Sequence, residues 1–190
     1  MPSDHTAAAQ ADPSALELLQ SVVEVARAIF GARASSVFLL DEAADELVFQ
    51  AVSGEGEDFL VGRRFPAHSG IAGWVASTGE PMVVDDLTGN AAFDRAFAES
   101  TAYTPDALMA APLVHGDRIL GVLEVLDPAP QARSSLPELE LLALFARQAA
   151  AALRVVLAHR AEAGIGADPR RRADAVRLVG ELERLLLEAL

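Results

Sequence analysis

The stretch Ser69-Gly70-Ile71-Ala72-Gly73-Trp74-Val75-Ala76-Ser77-Thr78-Gly79-Glu80-Pro81-Met82-Val83-Val84-Asp85-Asp86 decides how this chain folds. Its first part predicts a short helix. Ser69 stands where an N-cap belongs. Ile71, Trp74, Val75 and Thr78 share one face at i, i+3, i+4 and i+7. Gly79 suits a left-handed helix end, and Pro81 prevents continuation. Gly70 and Gly73 lie to one side and would let the helix approach a sheet closely. Met82 to Asp85 then reads as a strand.

Downstream, Leu87 to Ala107 is irregular apart from one helical turn around Asp94 to Glu99. Long irregular loops in compact domains are commonly functional. Leu108 to Val114 and Ile119 to Leu126 form a hairpin around His115-Gly116-Asp117-Arg118. Both strands are apolar on both faces, which predicts central positions in the sheet. Ser135-Leu136-Pro137-Glu138 is a capping box opening a long helix to about His159.

Upstream, Asp12-Pro13 starts a helix carrying Leu16, Leu19, Val23, Ala26 and Phe30 at helical spacing, closed by Gly31. Ser36 to Asp41 and Leu47 to Ser53 read as antiparallel strands joined by the polar Glu42 to Glu46 connection. Glu55 to Val61 reads as a loop and Arg63 to Ala67 as a short strand. The expected organisation is a flexible tail (1–11), a sensor-sized domain (12–160), a glycine-containing linker (161–167) and a C-terminal helix (168–190). The fold class is α+β: a central antiparallel sheet of about six strands flanked by helices, with the N- and C-terminal helices packing as a bundle.

Composition excludes several chemistries. Among 190 residues, 52% are hydrophobic, cysteine is absent, and all fifteen Lys/Arg cations are arginine. Thiol nucleophiles, disulfides and thiolate metal sites are impossible. So are Schiff-base catalysis and a phosphate-loop lysine. A net charge of -13 opposes nucleic acid and anionic membranes. No uninterrupted apolar run long enough to span a bilayer occurs, and there is no secretory signal, so the expected location is cytoplasmic. His5, His68, His115 and His159 are dispersed, without zinc-ligand spacing. No nucleophile–base arrangement or catalytic motif is found, and the chain reads as a non-enzyme requiring no cofactor or metal.

The ordered pieces Gly70-Ile71-Ala72-Gly73-Trp74-Val75, Gly79-Glu80-Pro81, Val84-Asp85, Ala111-Pro112-Leu113 and Gly121-Val122-Leu123 together resemble the GAF domain, a small-molecule sensing module of signalling proteins. The resemblance spans roughly residues 14–158. It implies a ligand between one sheet face and the elements beyond it, walled here by Phe38, Trp74, Val84, Asp85, Phe93, Phe97, Tyr103, Met109 and Ala111. Each has a plainer reading. Trp74 packs in the core; Phe93 and Phe97 anchor one helical turn; Tyr103 shapes a turn before Pro105; Phe38, Met109 and Ala111 are sheet core; Asp85-Asp86 is a solvated strand end or turn cap. The chain departs from the cyclic-nucleotide, bilin and methionine sulfoxide reductase subsets of that family, which need a lysine-containing signature or cysteines.

Glu124 falls on the Leu120, Val122, Leu126 face of a central strand. A carboxylate there needs a partner such as Arg118 or a place at the sheet margin, and the margin is the expectation. The long helix is apolar on more than one sector: Leu139, Leu142, Ala146, Ala149, Leu153 and Val156 form one stripe, and Leu141, Leu144, Phe145, Ala152 and Val155 another. A second subunit would cover the surplus, giving a homodimer through terminal helices. The last helix, with Ala175, Leu178, Leu182, Leu185 and Ala189, either joins that pairing or folds back. The expected function is a sensor that binds an unknown small molecule and relays it through the terminal helices to a signalling partner. The alternative is a dimerisation or interaction module whose pocket is filled by side chains.

Overall fold

The computed structural model describes residues 12–90, 103–129 and 138–167. Four helices and six strands are described in the order α1 (Pro13–Phe30), β1 (Ala34–Asp41), β2 (Glu46–Gly54), α2 (Glu57–Leu60), β3 (Arg64–Pro66), α3 (Gly70–Thr78), β4 (Met82–Val84), β5 (Leu108–His115), β6 (Arg118–Leu126) and α4 (Glu138–Ala167). The strands form one sheet in the order β3-β2-β1-β6-β5-β4, and every pairing is antiparallel. The expectations for residues 1–11, the helical turn around Asp94 to Glu99, Ser135 of the capping box and the 168–190 helix lie outside the described residues.

Local signals operate where expected. Asp12 caps α1 by accepting from the Ser14 N–H at 2.9 Å, with Pro13 in the first turn and Gly31 closing the helix at φ 55°. Gly79 ends α3 in the left-handed region, its N–H donating to Val75 O at 2.9 Å. Ser69 occupies the N-cap position with extended backbone but makes no side-chain capping bond. The expected Glu55 to Val61 loop contains the single turn α2.

Both sheet faces are buried, which is why β5 and β6 are apolar throughout. On one face Leu19, Val23, Ala26 and Phe30 of α1 and Leu142, Ala146, Ala150 and Leu153 of α4 cover Val37, Leu39, Met109, Ala111, Leu123 and Val125. On the other, Ile71, Ala72, Val75 and Ala76 of α3 lie over Phe38, Phe49, Leu108, Ala110 and Val122. Each fully buried Leu or Phe contributes roughly 1.5–3 kcal/mol by leaving water. Adjacent residues of one strand thus serve opposite layers, as the two-residue side-chain period requires. In β2 the register shifts: Val37 pairs Ala51 while Phe38 pairs Phe49, leaving Gln50 as an extra residue. That bulge turns both Phe49 and Val52 toward the α3 layer.

Gly121 sits in β6 opposite Leu39. A Cβ there would lie 1.9 Å from the Phe38 carbonyl oxygen, so β1 and β6 meet only because the side chain is missing. Gly73 has a different neighbour from the expected sheet. Its Cβ would meet the backbone of the preceding turn, 2.5 Å from His68 C and 2.8 Å from Ala67 O. It packs α3 against its own entry loop.

Two further expectations are corrected. α4 runs unbroken to Ala167, so the 161–167 linker is helical. Its Glu138–Ala158 part, with mean hydropathy 1.7, is long and apolar enough by composition to cross a membrane. Glu140, Arg147, Gln148 and Arg154 interrupt the apolar run, but the remaining residues keep the average high. In the fold, one stripe of it faces the sheet through Leu142, Ala146, Ala149, Ala150 and Leu153, while Leu144 and Val155 stay exposed.

Candidate functional site

Between the sheet and α3 lies a cavity of about 100 Å³, larger than a single water requires. Its floor is the α3-facing side of the sheet: Ser36 and Phe38 from β1, Phe49 from β2, Leu108 from β5, and Glu124 and Leu126 from β6. Ser69 to Ala72 roof it, Glu55, Gly56 and Leu60 line one side, and Tyr103 and Pro105 another. Phe65 of β3 completes an aromatic wall. The Phe38 ring centroid lies 4.4 Å from that of Phe49 and 5.3 Å from that of Phe65, both edge-on.

Glu124 is the chemically unusual member. It is 8% exposed, in a strand flanked by β1 and β5, with Ser36 and Ala110 as its cross-strand partners. The margin expectation is overturned, because β6 is interior to the sheet and the cavity, not the sheet edge, receives the carboxyl. Arg118 is not its partner: it donates to Glu42 at 2.7 Å. Among the described residues no hydrogen bond or ion pair compensates the Glu124 carboxyl, and burial alone pushes its pKa up to about 8. At neutral pH it is a neutral acid offering one O–H donor and one carbonyl acceptor.

Tyr103 closes the cavity's side and is held in place by Asp127. The Tyr103 hydroxyl donates to one Asp127 oxygen, while the other accepts the Asp106 and Ala107 N–H groups at 2.8 and 2.9 Å. Burial first, then this bond, raises the Tyr103 pKa, so the phenol stays protonated. At the rim Arg33 approaches Glu55 to 3.4 Å and stands 5.3 Å from the Tyr103 ring centre.

Of the expected walls that fall among the described residues, the structure brings together Phe38 and Tyr103 at the cavity. Met109 and Ala111 occupy the opposite face of β5, under α1 and α4, because Leu108 and Ala110 take the cavity-side phase. Trp74 is 38% exposed and neither lines the cavity nor packs in the core. The inward arc of α3 centres on Ile71, Ala72, Val75 and Ala76, which turns Trp74 outward. Val84 is half-buried and Asp85 exposed beyond β4, and neither lines the cavity. Asp86 serves the next turn, accepting from the Thr88 N–H at 2.8 Å. Phe93 and Phe97 lie outside the described residues. Sequence reasoning missed Ser36, Phe49, Glu55, Phe65 and Asp127. An acid on an apolar strand face was the available signal for Glu124, and the same β1 alternation that placed Phe38 places Ser36 beside it.

This architecture is that of a GAF domain. The family's sequence model matches residues 14–153, and the chain belongs to that family. It is 28% identical over 156 residues, 78% of its own length, to the cone cGMP-specific 3′,5′-cyclic phosphodiesterase subunit alpha′ of Mus musculus, covering 18% of that protein. The chain spans less than a fifth of the curated relatives it matches (roughly one regulatory-domain length). The GAF domain of a phosphoenolpyruvate-protein phosphotransferase from Coxiella burnetii superposes with a TM-score of 0.68 at 22% identity, covering 83% of this chain and 92% of that one. The GAF-B domain of DevS from Mycobacterium smegmatis gives 0.62 at 23% identity, covering 80% and 99%. Domains of this family occur in sensor and signalling proteins, phosphodiesterases among them.

Proposed function

We propose that this chain is a non-enzymatic, cytoplasmic sensor: a small molecule occupies the cavity under α3, and its presence is relayed through α1 and α4 of a homodimer to a signalling partner. The observation that carries the ligand reading is the cavity itself, apolar in most of its lining yet holding a buried, unpaired carboxyl at its floor. A module with a side-chain-filled pocket would have no such space.

The relay reading is supported by adjacency within single strands. Glu124 faces the cavity, and Val125 next to it packs in the core beneath α1 and α4; Val122 and Leu123 repeat the arrangement. Close-packed interiors transmit displacement. The dimer reading is supported by the outer surface of α4, where Leu144 is 50% and Val155 63% exposed, on one helical face with Ala151 between them.

Native mass spectrometry of freshly purified protein, paired with thermal-shift screening against a broad metabolite panel, tests the reading. The expected outcome is a dimer mass, with a retained small molecule or stabilisation by a restricted compound class. No retained mass and no stabilisation by any compound would remove the ligand half of the proposal.

A further inference from the structure

We propose that the cavity takes a small organic cation (an amidinium, guanidinium or alkylammonium on a compact apolar body), with Glu124 as its buried counter-ion. This deepens the sensor reading and rests on it.

The lining carries the argument. Among the described residues it includes two carboxyl side chains, Glu124 and Glu55, and no lysine, arginine or histidine. Four aromatic rings, Phe38, Phe49, Phe65 and Tyr103, complete it, and aromatic faces attract cations. Arg33, beside the cavity, is engaged by Glu55 and by the Tyr103 ring. An anion entering this space would meet no cationic side chain on the described lining, within a chain whose net charge is -13.

Glu124 itself is the second, independent observation. It is more than nine-tenths buried, lines the cavity, and its carboxyl makes no hydrogen bond among the described residues. A buried polar group without a partner is costly, and the cavity that Glu124 lines is where a ligand supplies one. The Ser36 hydroxyl, cross-strand to it on the same face, gives the bound group a second polar contact.

The proton balance makes the idea measurable. In the free protein Glu124 holds its proton at neutral pH. A permanently charged ligand stabilises the carboxylate, so binding releases that proton to solvent. Affinity for such a ligand then rises as pH increases toward about 8, by up to about tenfold per pH unit. Glu55 and Tyr103 are the other titratable groups on the described lining. Asp106 and Asp127 bracket the Tyr103 segment, Glu57 accepts from the Gly54 N–H, and His68, ahead of α3, is exposed with Asp45 3.9 Å away.

The test is calorimetric titration of the intact protein with two matched series: benzamidine, benzamide and benzoate, then acetamidine, acetamide and acetate. Titrations run from pH 6 to 8 in buffers of different ionisation heat. The inference expects an amidine to bind at least about tenfold more tightly than its amide, carboxylates not to bind, and about one proton to be released. Glu124→Gln should abolish the preference and the proton release while remaining folded; Glu55→Gln should retain the pH dependence. Equal or tighter binding of an amide or carboxylate, or an unchanged amidine affinity and pH slope in Glu124→Gln, overturns the cation inference and leaves the sensor reading intact. No binding by either series, combined with stabilisation by some neutral or anionic metabolite, also overturns the cation inference alone. No binding by any compound, matched or metabolite, overturns both.

Discussion

The Tyr103 hydroxyl donates to the Asp127 carboxylate, tying the segment that closes the cavity's side to the end of β6. Asp127 lies at φ 47°, a left-handed conformation that Asp and Asn tolerate better than other side chains. Its second oxygen serves two backbone N–H groups, so one residue fixes the path of the chain into β5.

Asp127→Ala is therefore expected to destabilise the fold by about 2 kcal/mol or more, because it leaves several donors without their acceptor. Asp127→Asn retains an acceptor and should lose less, and Tyr103→Phe should cost about 1 kcal/mol. Urea denaturation measures the differences. Hydrogen exchange should quicken at Asp106 and Ala107 in the alanine variant; unchanged exchange there would contradict the anchoring role.

Glu124→Gln should change the pH dependence of stability. Burial raises the folded-state pKa to about 8 from the ordinary glutamate value of 4.5. The folded form thus holds a proton that the unfolded chain gives up, and stability is full below the unfolded value. It falls as pH rises between the two values, and the loss is complete above about 8. The glutamine variant lacks this slope and should be more stable than wild type at pH 8, by on the order of a few kcal/mol. Parallel denaturation curves at pH 5, 6.5 and 8 check this, and coincident pH profiles would contradict the burial argument.

Gly121→Ala should be strongly destabilising, on the order of 3 kcal/mol, since its Cβ meets backbone that cannot rotate away. Gly73→Ala should act similarly through the Ala67–His68 turn. A midpoint in guanidinium within error of wild type for Gly121→Ala would show that β1 and β6 are more separable than described.

Replacing Leu144 and Val155 together by Glu should leave the folded domain near wild-type stability while converting the dimer proposed above to a monomer. Both side chains are already exposed on α4, and apolar interface centres tolerate charge poorly. Sedimentation velocity reads the outcome; an unaltered dimer would place the subunit contact elsewhere.

The α1, α3 and hairpin boundaries were legible because their signals are local. Asp12-Pro13 and Gly31 bracket α1, Gly79 and Pro81 end α3, and the apolar runs flanking Gly116-Asp117 mark β5 and β6. The site was less legible. Met109 and Leu108 are equally apolar neighbours, and nothing in their order says which faces a cavity. Trp74 fell on an apolar helical face by spacing, but the sheet contacts a neighbouring arc.

Sequence alone determined the family, the alternation of strands and helices, and the glycine ends of α1 and α3, because capping, periodicity and backbone freedom act within a few residues. Tertiary structure decided that Glu124 is interior, that Ser36 and Phe49 join it, and that Asp127 holds Tyr103 over them. The physical reason is that these residues meet only through strand order and the β2 bulge. Strand order is set by packing between segments distant in the chain, and it alone turns a lone acid on an apolar strand into the floor of a cavity.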